Sequence, residues 1–160
     1  MKLATLLTPE HVLLDMRAEE HWPAIAELVA HLAEVERFDP ALTAEVSDSL
    51  RAREDQVSTG IGSGVAIPHA FSDRLERVVA VFGRSNKGID FEAIDNAPVR
   101  FVVLFIVPRK QYHLHLQTLA AIAKLLTNCE IRRQLGDAVS RDEVLAVLNS
   151  EPVRSGPREG

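Results

Sequence analysis

From residue 99 to 107 the chain reads Val-Arg-Phe-Val-Val-Leu-Phe-Ile-Val, and Arg100 is its only polar side chain. The uninterrupted apolar part, residues 101–107, is seven residues long. A membrane helix needs about twenty. A run this short, rich in valine and without polar alternation, reads as a central strand buried on both faces of its sheet. The other elements have to be arranged around it.

Residues 11–15 look like a short first strand. Trp22, Ile25, Ala26, Val29, Leu32 and Ala33 then recur at three- and four-residue steps, the spacing of an amphipathic helix with Pro23 in its first turn. Asp39-Pro40 opens a second helix, Asp39 as N-cap and Pro40 at the first helical position, running to about Arg53. Residues 65–67 are a short apolar strand before Pro68, and residues 78–82 another. Leu116, Leu119, Ala120, Ala123 and Leu126 mark a helix with one apolar stripe. Two short helices follow, the last opened by Ser140 with Glu143 three residues on, the pattern of a capping box. This order predicts an α/β or α+β domain with one mixed sheet. Residues 151–160 hold two prolines and two glycines with no apolar period, and read as a disordered C-terminal tail.

The 160 residues suit a single domain that buries roughly 70% of its unfolded surface. Eighteen basic against twenty-three acidic residues give a net charge of −5. Lysine and arginine never gather into a stripe, which disfavours nucleic acid as a partner. A mildly acidic surface instead favours encounter with a basic protein. One cysteine, Cys129, cannot form an internal disulfide. The apolar start at residues 3–7 is cut off by Thr8-Pro9-Glu10-His11, too early for a signal peptide. Together these place the chain in the cytoplasm, with no direct membrane insertion.

The densest chemical signal is Ser58-Thr59-Gly60-Ile61-Gly62-Ser63-Gly64-Val65-Ala66-Ile67-Pro68-His69-Ala70. A dinucleotide fingerprint would need glycine where Val65 stands and a helix where Pro68 forbids one. A phosphate-binding Walker loop would need a G-K-[ST] ending, and a nucleophile elbow would need glycine at Ile61. What remains is a glycine-rich turn feeding a very short strand that ends in Pro-His. Pro68 stiffens the backbone under His69. On these residues alone, His69 is either a surface histidine at a strand end or a residue whose ring orientation matters. Arg53, at the end of the second helix, by itself suits a solvated arginine near the negative end of the dipole. His113 and His115 at a helix start point roughly 200° apart, so joint metal chelation is disfavoured, and no cysteine or carboxylate stands at ligand spacing. A histidine there can still hold an anion.

These pieces, in this order, resemble the type 2 (fructose/mannitol-class) enzyme IIA domain of the bacterial phosphoenolpyruvate-dependent phosphotransferase system. Glu54, Ile61, Gly62, Val65, Ala66, Ile67, Pro68, His69 and Ala70 meet every position of that family's signature. The resemblance spans residues 1–150. Ser58 to Gly62, residues 91–99 and the free-standing length look most like the nitrogen-regulatory branch. The resemblance implies a three-layer α/β/α sandwich with a mixed sheet. It implies that His69 accepts a phosphoryl group from a histidine-containing phosphocarrier protein, that His115 stabilises that group, and that Arg53 binds it. Backbone N–H groups at Gly60, Gly62 and Gly64 would cradle the phosphate. No cofactor or metal is implied, and His113 has no counterpart. The onward partner would be a regulatory target protein or, if the role is sugar transport, a transporter subunit. A third alternative is an interaction module that keeps the fold but no longer turns over phosphate.

Overall fold

The computed structural model describes residues 3–56, 60–93 and 95–150. The expected tail at 151–160 and the residues Ser58 and Thr59 lie outside the described residues. Two short 3-10 turns, Leu3–Leu6 and Pro9–His11, lead into strand β1 (Val12–Leu13). Helices α1 (His21–Glu36) and α2 (Pro40–Gln56) follow. Strands β2 (Gly60–Gly62), β3 (Val65–Ala66), β4 (His69–Ser72), β5 (Val79–Ile89) and β6 (Val99–Pro108) complete the sheet. Helices α3 (Leu114–Leu126), α4 (Cys129–Asp137) and α5 (Arg141–Asn149) end the described chain. No helix among the described residues is long and apolar enough to cross a membrane.

Strand β6 is central, as its composition requires: every residue of it but Arg100 is buried. On one side it pairs antiparallel with β5, whose outer neighbour is the parallel β1. On the other side it pairs parallel with both β3 and β4, and β2 closes antiparallel on β3. Side chains alternate across β6. Phe101, Val103, Phe105 and Val107 join the core under α3, α4 and α5. Val102, Leu104 and Ile106 join the core under α1 and α2. The result is a helix layer on each face of a mixed six-stranded sheet.

Both expected caps form. Asp39 accepts the Leu42 N–H at 2.7 Å, and Ser140 accepts the Glu143 N–H at 3.1 Å. Glu143 returns its carboxylate to the N–H of Val139, one residue before the cap. Several bounds differ from expectation. The first strand is only Val12–Leu13, because His11 closes a 3-10 turn. Strand β5 runs on to Ile89 through Arg84, Ser85, Asn86 and Lys87, a stretch with no apolar period. Helix α3 turns differently about its axis: His115, Thr118, Ile122, Leu125 and Leu126 are buried, while Leu116 is 63% exposed. Apolar residues fall on nearly every side of α3, so periodicity alone leaves its facing ambiguous.

Candidate functional site

Strands β3 and β4 are one strand interrupted. Val65 pairs with Phe101, Ala66 with Val102, His69 with Phe105 and Ser72 with Pro108, always thirty-six residues apart. The interruption is Ile67-Pro68, where proline has no N–H to give the ladder. Pro68 still contributes its carbonyl, which accepts the Phe105 N–H at 3.1 Å. His69 therefore resumes the pairing in the register that Val65 set. Its parity puts the ring on the α3 side, stacked on Phe105 at 5.1 Å and 11°.

The ring is 9% exposed, and its Nδ1 lies 2.9 Å from the Ile67 carbonyl oxygen. A carbonyl can only accept, so Nδ1 carries the proton and Nε2 of the neutral ring keeps the lone pair. Burial pulls the imidazole below its ordinary value. The Ile67 carbonyl pulls the other way, and the charges of Arg53 and His115 add to the lowering. The outcome is a neutral, oriented imidazole.

His115 stands in the first turn of α3, turned inward by the same rotation that exposes Leu116. Its Nδ1 is 3.1 Å from the Tyr112 carbonyl oxygen, so it holds the same tautomer as His69. The two rings lie 6.0 Å apart at 26°. His113 is exposed, so the expected divergence of the H-x-H pair is what the helix produces.

Arg53 comes from the other helix layer. Leu42, Val46, Leu50 and Glu54 are the buried stripe of α2, four residues apart, and Arg53 sits at its exposed margin. Its Cζ lies 5.3 Å over the ring of Phe71. Phe71 is two residues beyond His69 on β4 and packs with the α3-side core. Three elements thus converge on one end of β6: β4 with His69, α3 with His115 and α2 with Arg53. Phe71, which links them, is a residue the sequence reading missed. No local signal marked it, because residues 69–72 are a strand only through their pairing with β6.

The glycines do not join them. Ser63 and Gly64 turn the chain between β2 and β3, and Gly62 (φ +92°) and Gly64 (φ +78°) have backbone angles that favour glycine. The Gly64 carbonyl accepts the N–H groups of Arg100 and Phe101, at the start of β6. His69 pairs four residues further along that strand, roughly 13 Å away. Gly62 and Gly64, expected to cradle a phosphate at His69, are placed in the turn beside the start of β6. Gly60 faces Ala66, and a Cβ on it would come 2.8 Å from the Ala93 Cβ, so close packing accounts for it.

Residues 5–151 match the family described as Phosphoenolpyruvate-dependent sugar phosphotransferase system, EIIA 2. The chain belongs to this family. It is 34% identical over 152 residues to a nitrogen regulatory protein of Bradyrhizobium diazoefficiens, spanning 95% of this chain and 97% of that protein. It is 33% identical over 149 residues to the fructose-specific EIIABC component of Bacillus subtilis, spanning 93% of this chain and 23% of that longer protein. The crystal structure of IIA-Ntr from Neisseria meningitidis shares the fold with a TM-score of 0.83 at 30% identity, covering 92% of this chain and 99% of that one. Within the EIIA 2 signature, Glu54 is the buried acidic residue, 4.0 Å from His21 Nδ1. Val65 to Ala70 form the buried, proline-broken strand just described.

Proposed function

We propose that His69 is the phosphoryl acceptor of a phosphotransferase relay, attacking through Nε2. The observation that carries this is the Nδ1 contact to the Ile67 carbonyl, which leaves Nε2 as the lone-pair nitrogen of a ring kept neutral by burial. As the P–N bond of a phosphorylated carrier histidine breaks, a bond forms between phosphorus and Nε2 of His69. Nδ1 keeps its proton on the Ile67 carbonyl, so the phosphorylated ring is an imidazolium, and the electron pair of the broken P–N bond returns to the carrier imidazole. The phosphoryl group itself bears close to two negative charges, which need donors. Arg53 supplies a planar fork with several N–H groups. His115 has its Nδ1–H on Tyr112, so its Nε2 can donate to the phosphoryl group only when the ring is protonated.

Two outputs fit this chemistry. Similarity along nearly the full length of the Bradyrhizobium nitrogen regulatory protein supports a regulator that binds its targets according to phosphorylation. Similarity to the EIIA portion of a fructose-specific component supports passage of the group to a transporter subunit. Incubation with phosphoenolpyruvate, enzyme I and a phosphocarrier, followed by intact-mass measurement, tests the common step. One added phosphoryl group on the wild type and none on His69→Ala is the expected result. Equal labelling of the two overturns the proposal.

A further inference from the structure

Arg53 and His115 reach His69 from opposite helix layers, and one side chain touches both. Phe71 holds the Arg53 guanidinium 5.3 Å above its ring centroid. It meets the His115 ring at 5.1 Å and 78°, an edge-to-face contact. Tyr112, whose carbonyl fixes the His115 tautomer, packs against Phe71 at 5.5 Å. We infer that Phe71 is a positioning residue for phosphoryl transfer, the common seat that holds Arg53 and His115 in place around His69. The inference rests on the proposal that Arg53 and His115 handle the phosphoryl group.

The physical case begins with Arg53 itself. A four-torsion side chain at an exposed helix margin samples many rotamers, and fixing it during transfer would slow the reaction. A cation over an aromatic face is attracted by the ring quadrupole, which narrows that search before the donor arrives. The ring accepts no conventional hydrogen bond, so the contact leaves the guanidinium N–H groups available to an anion. Strand geometry fixes the seat. Phe71 and His69 are two residues apart on one face of β4, paired with Val107 and Phe105. The distance from nucleophile to seat is therefore set by the strand repeat and not by a loop. Phe71 touches no reacting atom in this arrangement and acts only through its two neighbours.

Single-turnover transfer from a phosphorylated carrier, measured with the thermal midpoint on the full chain, tests this. Phe71→Leu keeps apolar volume and removes the ring face, and should slow transfer by about three- to tenfold. Phe71→Tyr should stay within about twofold of wild type. A trifluorinated phenylalanine at position 71 keeps the shape while weakening the ring face, and should fall between the two even if Phe71→Leu lowers the midpoint. In an Arg53→Ala background, Phe71→Leu should cost clearly less than it does alone. An unchanged rate for both the leucine and the fluorinated variants, or an equal loss with and without Arg53, overturns the inference. If Arg53→Ala itself transfers at the wild-type rate, the proposed role of Arg53 has failed, and that is a different result.

Discussion

His69 and His11 are both buried histidines, 9% and 6% exposed, yet they leave opposite ring nitrogens with the lone pair. His11 accepts the Thr8 backbone N–H on Nδ1 at 2.9 Å. Its proton is therefore on Nε2, which donates to Glu36 Oε2 at 2.6 Å, and Glu36 in turn accepts from Arg77. Both nitrogens are engaged, and the ring ties the N-terminal segment to the end of α1. His69 meets an acceptor at Nδ1 instead of a donor, so its lone pair falls on the opposite nitrogen. Burial alone does not make a histidine nucleophilic; the hydrogen-bonding type of its first partner decides which edge is left to react.

The largest expected effect separates these two residues. His69→Ala should abolish phosphoryl uptake by intact mass with little change in fold. His11→Ala should label fully while losing about 1–3 kcal/mol of stability, read from denaturant unfolding, because the hydrogen-bonding groups around it lose their partner. Loss of labelling in the His11 variant, with its fold intact, would erase the distinction.

Next in size is Arg53→Ala. A hydrogen bond to a charged group is worth about 1.5–3 kcal/mol, so transfer should slow by about ten- to hundredfold, with Arg53→Lys recovering only part. If lysine serves as well as arginine, or if only the thermal midpoint moves, Arg53 merely finishes a helix. His115→Ala should cost less, about two- to tenfold in transfer rate, as one donor among several. A rate unchanged in both directions would reduce His115 to a packed helix-start residue.

How much of this was legible in the sequence follows from how each element is buried. β6 announced itself because both its faces are covered, leaving a continuous apolar run. β4 was missed because four residues after a proline, His69-Ala70-Phe71-Ser72, carry no period of their own; the pairing with β6 makes them a strand. β2 was hidden by its glycines, which are there for the approach of Ala93 and for the turn. The far half of β5 holds Arg84, a buried arginine whose guanidinium meets the carbonyls of Leu14, Leu135 and Ala138. Nothing in local sequence marks that. At the site, the proline and histidine were visible as a motif, whereas the facing of α3 depends on tertiary packing and came out rotated.

The smallest effect is a titration. Burial lowers the His69 value, so the native ring should protonate below the ordinary histidine range, while His69 in the unfolded chain protonates within it. Its contribution to stability is then fully present above the ordinary value, declines as pH falls toward the native one, and is level below that. Ring-resonance NMR checks the direction. A His69 that titrates at or above the ordinary value would mean it is not the desolvated ring described.

The constant offset of thirty-six between β3–β4 and β6 also constrains how this chain can change length over time. Deleting or inserting one residue within 65–72 would exchange the faces of everything beyond it. A deletion at 65–68 would then point the imidazole at α1 and α2 and turn the Ala70 methyl toward His115. The β5–β6 register already shifts between Arg84 and Ile89, so the far end of β5 can absorb gains and losses without moving the site. Sequences descended from a common ancestor with this one should carry their gaps there and keep the eight residues around Pro68 at one length.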